Sequence, residues 1–482
     1  MGAGPGDLPD LSPVPSGGPL FLSSFREGGG VPVDLKVALL SLGCSKNLVD
    51  SEVLLAHLAE AGIAVTPAPE DAHVVVVNTC AFIEDAREES IDTLFRMARL
   101  KEEGRIRAVL AVGCLPQRYG DELARSLPEV DAFLPISDYS RVGEVVTRLA
   151  AGSGPGGGPL LEGGRPKGPG SDLDRLLLTP ASYAYLRVAE GCDHQCSFCA
   201  IPLIRGKLRS KPMEVLLEEA RRLAGLGVKE LDLVAEDSTA WGKDLPGGRE
   251  NLADLLERLN DIPGIRWIRI LYGYPWSVTP ALLEAMRELD KVVPYLDLPI
   301  QHYSAPVLEA MKRGAGGGKL RDLLYRIREE VPGVTLRTTV LVGHPGETER
   351  RFRELVDFLA EFRFERLGAF AFSPEEGTPA AAMGGRPSRK TARARLEEVM
   401  RLNREIMEER NRTLLGKEVE VLVDSSEEDG TWLGRTAADA PEVDGLVRVR
   451  SARPLAPGDF VRVRVQDCRA YDLEGEVEGE AS

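Results

Sequence analysis

Three short apolar runs in the first quarter of the chain each end on a cysteine. Val37 to Gly43 leads into Cys44, His73 to Thr79 into Cys80, and Ala108 to Gly113 into Cys114. Runs of this length, rich in valine and leucine and without polar alternation, predict strands of the kind buried in a parallel sheet. Helix-like segments, Asn47 to Ala61 and Ala81 to Leu100, separate them. Strands that alternate with helices build βαβ units. The carboxyl ends of such strands share one sheet edge, which is where ligands bind. Cysteines far apart in sequence are therefore expected to converge in space. A single strand-end cysteine would pass for a small buried hydrophobe. Three of three point to a three-thiolate iron–sulfur cluster.

A second set is local. The run Glu190-Gly191-Cys192-Asp193-His194-Gln195-Cys196-Ser197-Phe198-Cys199 places thiols at Cys-x3-Cys-x2-Cys spacing, just after the apolar stretch Tyr183 to Ala189. Three thiolates on one loop bind three irons of a four-iron, four-sulfur cube, and a fourth cysteine would close it. With three, one iron stays open to a small molecule. Structural zinc wants four ligands, often as two Cys-x2-Cys pairs, and the chain holds no second pair of that kind. The seventh cysteine, Cys468, stands alone in a polar segment and reads as structural or incidental.

Length and composition bound the rest. At 482 residues the chain exceeds one ordinary core, and 43% hydrophobic with 28% charged content fits a globular protein. No stretch approaches the roughly 18 consecutive apolar residues of a membrane span, so no membrane partner is expected. Residues 1–35 are rich in Gly and Pro and lack a basic start before an apolar core, so they read as a disordered tail, not a signal peptide. Six cysteines in cluster-like positions suit a reducing cytoplasm. A net charge of −16 disfavours nonspecific adhesion to nucleic acid.

The expected architecture is α/β with three folded parts. Residues 36–150 form an N-terminal parallel-sheet domain, and 151–175 a Gly/Pro-rich linker. Over 176–412, candidate strands Tyr183–Ala189, Glu230–Ala235, Trp267–Tyr272, Tyr295–Leu298, Leu336–Val342 and Arg366–Phe372 alternate with helix-like segments such as Met213–Leu226, Leu252–Asn260, Pro280–Leu289 and Glu349–Phe362. That pattern predicts a partial (β/α) barrel whose active groups cluster at the carboxyl ends of the strands. A charged helix over 388–412 carries an apolar stripe of Leu396, Val399, Met400, Ile406 and Met407. Short alternating stretches over 413–482 predict a small all-β barrel. That segment holds eight Lys/Arg against sixteen Asp/Glu, a balance that repels phosphate and attracts a basic partner.

The motifs LSLGCSKNLVDSE, NTCAFIEDAREESI, AEGCDHQCSFCAIPLIRGKLRS, PYLDLPIQH, LVGHPGET, SPEEGTPA and RTAADAPEVDG together resemble the methylthiotransferases of the radical S-adenosylmethionine (SAM) superfamily. The resemblance covers nearly the whole chain beyond residue 35. It implies a cluster domain, a radical-SAM domain and a C-terminal TRAM barrel. The tRNA-modifying branch typically carries Gln-Met-Asn after its first cysteine; Ser45-Lys46-Asn47 follows Cys44 here, which favours the protein-modifying branch. Ser45, His344 and Ala438 depart from residues common in that branch, and none is a candidate cluster ligand.

The resemblance implies that Cys192, Cys196 and Cys199 hold the cluster that binds and cleaves SAM, with Phe198 packed beside it, and that Cys44, Cys80 and Cys114 hold an auxiliary 4Fe-4S cluster. One SAM would methylate sulfur there. A second would supply the radical that takes hydrogen from the β-carbon of an aspartate of ribosomal protein S12, free or in the ribosome. The implied partners are S12, a reductant protein and a sulfur source, with nucleic acid not a direct substrate. Candidate SAM contacts sit at strand ends. Glu236 follows the second barrel strand, where the superfamily often places a group for the methionine amine, and Gln301 follows the fourth. Gly343 and Gly346 follow the fifth, where backbone can approach adenine without an intervening Cβ; turn or capping roles are the alternative for each. His194 reads as a local hydrogen-bonding residue. The five histidines look scattered, and no Ser-His-Asp or paired-carboxylate constellation stands out. The rival readings are a tRNA methylthiotransferase and a non-catalytic iron–sulfur electron carrier.

Overall fold

The computed structural model describes residues 35–152, 160–161, 172–248 and 250–478. Nearly all of the expected tail and most of the expected linker lie outside them. The chain divides into two compact units, one made of the described residues up to 161 with 174–178, the other of 172–173 with 179–478.

In the first unit, strands β1 (Lys36–Ser41), β2 (Ala64–Val65), β3 (Val74–Thr79), β4 (Ala108–Gly113), β5 (Ala132–Pro135) and β6 (Leu160–Leu161) form one sheet in the order β2-β1-β3-β4-β5-β6. Every pairing is parallel. All of β3 and β4 is buried, as apolar runs without alternation require. Val74, Val76, Leu110 and Val112 pack with Leu54, Leu58, Val145 and Val146 of two helices, Ser45–Glu60 and Val142–Ala150. Leu35, at the end of the expected tail, belongs to the same core, and β6 comes from within the expected linker. The chain steps from β1 outward to β2, then returns to β3 on the other side of β1. That reversal makes the β1/β3 boundary the switch point of the sheet, outside whose carboxyl ends a crevice opens.

The second unit begins with β7 (Tyr183–Arg187), β8 (Ala189–Glu190) and β9 (Arg209–Ser210), followed by β10 (Glu230–Val234), β11 (Trp267–Ile270), β12 (Val292–Asp297), β13 (Thr335–Val342) and β14 (Arg366–Ala371). Strands β7, β10, β11, β12, β13 and β14 pair in parallel, in chain order and without reversal. Right-handed crossovers then place every connecting helix on one face, giving the expected open barrel. Helix boundaries follow local chemistry. Asn251 and Asp254 form a capping box at Leu252–Asn260, and the Thr348 side chain caps Glu349–Phe362. On the long helix Arg389–Arg412, Val399, Ile406 and Met407 are buried as expected, but Leu396 and Met400 are only half-buried. Arg395 and Asn403 take buried places instead, Arg395 pairing with Glu347 at 2.6 Å and Asn403 donating to the Leu367 carbonyl at 3.1 Å.

Strands β15 (Glu418–Ser426), β16 (Trp432–Arg435), β17 (Val447–Arg450), β18 (Phe460–Cys468) and β19 (Leu473–Val477) close a barrel in the order β15-β16-β17-β19-β18. Val421, Val423, Val447, Val449, Val461, Val463 and Val465 fill it, and Cys468 packs against this core as a small hydrophobe. The segment between β16 and β17 enters the open barrel on the face opposite the helices. Arg435 pairs with Glu230 at 2.7 Å, Tyr185 donates to Glu442 at 3.0 Å, Tyr295 to Asp444 at 2.6 Å, and Arg366 pairs with Asp439. This corrects the charge count. Asp424, Asp439, Glu442 and Asp444 are bound to buried arginines and tyrosines, so the net charge of the segment overstates the acidity of its outer surface.

Candidate active site

Each cysteine-bearing loop is built by a glycine in the left-handed region or by a buried amide. Gly43, before Cys44, has φ +91°, and a Cβ there would lie 2.8 Å from the Cys80 Cβ. Gly113, before Cys114, has φ +99°, and its Cβ would meet the Asn78 side chain at 2.3 Å. A side chain at either position would be strained by its φ and would force strand ends apart. Asn47 ties the three ends together. Its fully buried amide donates to the carbonyls of Leu42 and Thr79 at 3.0 Å each, and Cys114 Sγ lies 3.4 Å from its Oδ1. Asn78 in turn donates to the Asn47 carbonyl and to Ser51 Oγ, each at 2.8 Å. Cys44, Cys80 and Cys114 therefore gather at the switch point, Cys44 exposed and the other two buried. Replacing Asn47 with Ala removes the donor from two backbone carbonyls, at about 1–3 kcal/mol for each one left buried and unsatisfied. Urea unfolding of N47A is expected to show that loss, with reduced iron retention after reconstitution.

The second loop leaves β8 through Gly191, whose φ is +73° and whose Cβ would meet the Lys207 carbonyl at 2.1 Å. It is pinned from both sides. Cys192 N donates to the Gly206 carbonyl at 3.1 Å, Ser197 N to the Met311 carbonyl at 2.9 Å, and Ala380 N to the Ser197 carbonyl at 2.8 Å. Burial pushes the Cys192 and Cys199 thiols up to about 12, and each thiol also feels the charge of its neighbours on the loop. No group of three or more His, Cys, Asp or Glu among the described residues is placed to hold a single ion. A cube asks for less convergence, because each thiolate binds its own iron. An all-thiol donor set on a water-poor loop fits such a cluster, which stabilises the thiolate that burial alone disfavours.

The other predicted positions ring the carboxyl end of the barrel. Glu236 is buried, 3.7 Å from Arg205 Nε, and Arg205 also pairs with Glu190 at 3.3 Å. Arg187 continues this chain of buried charge to Glu190 and Asp172, each at 2.7 Å, and Lys211 joins Asp172 to Glu219. Gln301 has φ +68° and Tyr272 φ +58°. Non-glycine residues in this region carry backbone strain of about 1–3 kcal/mol and cluster at functional sites. Gly343 and Gly346 also have positive φ, and a Cβ on Gly343 would meet Ala392 at 2.6 Å. Helix packing alone accounts for glycine at 343, and turn geometry at 346.

Comparison with known proteins follows the same three-part division. A model described as uncharacterized protein family UPF0004 matches residues 36–135, one for the radical SAM superfamily matches 186–359, and one for the TRAM domain matches 415–477. The chain is 44% identical over 445 residues to ribosomal protein uS12 methylthiotransferase RimO of Geotalea uraniireducens, covering 92% of this chain and 98% of that protein. The chain belongs to the RimO family. RimO proteins of Desulforamulus reducens and Heliobacterium modesticaldum are also 44% identical, over 451 and 460 residues, covering 92% and 95% of this chain and 99% and 98% of theirs.

Within this RimO-family chain the histidines are less scattered than the sequence suggests. His302 Nε2 lies 3.4 Å from Glu347, and His344 Nε2 lies 3.2 Å from Ser197 Oγ. His344 is buried, and burial lowers its pKa, so it stays neutral and serves the packing of the cysteine loop, edge-on to Phe198 at 6.3 Å. His194 binds Asp237 at 2.6 Å and stacks on Tyr274 at 3.8 Å, the local role expected of it. Asp237, Tyr274 and Arg313 were not singled out from sequence. For the first two the signal was present, since both follow a barrel strand at its carboxyl end.

Proposed function

We propose that this chain is a radical-SAM methylthiotransferase that adds a methylthio group to the β-carbon of an aspartate of ribosomal protein S12. One observation supports the reading above the others: a RimO likeness spanning 92% of the chain that includes both cysteine sets. In this reading Cys192, Cys196 and Cys199 bind one 4Fe-4S cluster and Cys44, Cys80 and Cys114 the other. When bound, the loop cluster and SAM supply a carbon radical able to take hydrogen from a C–H bond that no side-chain base removes at neutral pH. The protein's own part is positioning. Gly191 and the Met311 carbonyl fix the loop, Phe198 and His344 exclude water, and Asn47 holds the ends that carry Cys44, Cys80 and Cys114. Glu236 and Gln301, at strand ends of the barrel, are the residues that would contact SAM. A reductant protein, a sulfur source and a cytoplasmic setting complete the proposal. Among the described residues no helix is long and apolar enough to cross a membrane.

The test is anaerobic incubation of reconstituted protein with SAM, sulfide, a reductant and S12, followed by mass spectrometry of S12 peptides. A methylthio increment on one aspartate is the expected outcome. Unmodified S12 with deoxyadenosine still formed would retain the radical chemistry and redirect the search to tRNA or the whole ribosome. Absence of deoxyadenosine would favour an electron carrier.

A further inference from the structure

At the cysteine loop, Arg313 brings a cation to a cysteine sulfur. Its Nη1 lies 3.6 Å from Cys196 Sγ, and its Nη2 donates to the Pro299 carbonyl. Its guanidinium lies over the Tyr274 ring, 4.5 Å from the centroid. The opposite end of this assembly is anchored too, because Tyr274 stacks on His194, which Asp237 binds. The turn that carries Arg313 belongs to the loop's own support. Met311 accepts from Ser197 N, Lys312 takes a left-handed φ of 54°, and the Arg313 carbonyl accepts from Trp276 Nε1 at 2.9 Å. A lysine would not serve in the same way. Only a planar fork can reach a sulfur and a carbonyl together while sitting over an aromatic ring.

We propose that Arg313 is a positioning residue of the loop cluster, holding Cys196 Sγ by an N–H···S hydrogen bond and making the cluster easier to reduce. The proposal rests on Cys192, Cys196 and Cys199 being its ligands. Hydrogen bonds to cluster sulfurs and nearby charge set reduction potentials. A fixed positive charge favours the more negative, reduced form. Burial of Cys196 and partial burial of Arg313 limit the screening that water would impose.

The experiment uses the full chain with Cys44, Cys80 and Cys114 replaced by Ala, so that only the loop cluster contributes. R313Q and R313K are reconstituted beside their parent, iron and sulfide are measured, and the one-electron reduction by dithionite is titrated by electron paramagnetic resonance. R313Q is expected to keep the parent's iron content and to titrate at a more negative potential, with R313K in between. The same displacement should appear as one of two components in the chain with all six cysteines. An unchanged potential at full iron content overturns the proposal, and so does loss of iron in R313Q, which would make Arg313 merely structural. Failure of the parent to hold iron while C192A, C196A and C199A together leave the iron of the six-cysteine chain intact overturns the ligand assignment, and the proposal with it.

Discussion

Serine substitutions in the two cysteine sets should fail in different ways. Any one of Cys192, Cys196 or Cys199 changed to Ser should abolish deoxyadenosine formation from SAM, because an iron loses its thiolate. Any one of Cys44, Cys80 or Cys114 changed to Ser should leave SAM cleavage in place but end methylthio transfer to S12. The two sets are built on separate sheets, β1, β3 and β4 in one unit and the β8 exit in the other, so damage to one edge need not reach the other. Iron content should fall by about half in every case, as expected for loss of one of two equal clusters. Deoxyadenosine and modified S12 peptide, measured in the same reaction, separate the sets. Equal loss of both products in all six variants would contradict the division of labour.

The sequence carried much of this arrangement because the informative residues are local. An apolar run followed by Gly-Cys states both where a buried strand ends and that its exit needs a left-handed residue, and Gly43, Gly113 and Gly191 all meet that need. The same locality explains the helices. Leu252–Asn260 and Glu349–Phe362 begin beside their capping residues, so their starts are written in adjacent side chains. Arg313 was not legible. Nothing in Met-Lys-Arg-Gly marks a sulfur contact, which arises only because the turn after the Ala305–Ala310 helix folds back on the cysteine loop. The polar interior of the open barrel was equally hidden. Glu230, Asp232, Arg269, Arg337 and Arg366 interrupt runs that otherwise read as apolar strands, and some of their partners come from β16 and the segment after it, up to 205 residues later, as Arg435 does for Glu230. Counting charges along residues 413–482 pointed outward, whereas several of those charges face in.

That interior gives the largest expected effect on stability, and two neighbouring carboxylates on one strand should respond oppositely. Glu230 is fully buried between Arg269 and Arg435, at 2.7 Å from each. Burial opposes its charge, but the two guanidinium groups outweigh that and hold its carboxyl below the ordinary range. Asp232 is just as buried and lies 3.4 Å from Arg269. There burial and the charge of Glu230 prevail, and its carboxyl is held well above the usual value of 3.8. Glu230→Gln removes the counter-charge from two buried arginines and should cost about 3–5 kcal/mol, loosening the β16–β17 segment from the open barrel. Asp232→Asn keeps the shape of the side chain while removing a charge that the fold disfavours, and should cost less than about 1 kcal/mol. The sign of the pH dependence follows. A raised folded-state pKa gives stability that is fully present below the ordinary carboxylate value and is lost as pH rises through the folded one. The parent should therefore lose ground to Asp232→Asn as pH rises above about 4, the ordinary value for this group. Urea unfolding midpoints by tryptophan fluorescence at pH 5.5 and about 8.5 would read both effects. If Asp232→Asn proves as damaging as Glu230→Gln, Asp232 is ionised in the fold, and the arginine pair is shared between two charged carboxylates instead of one.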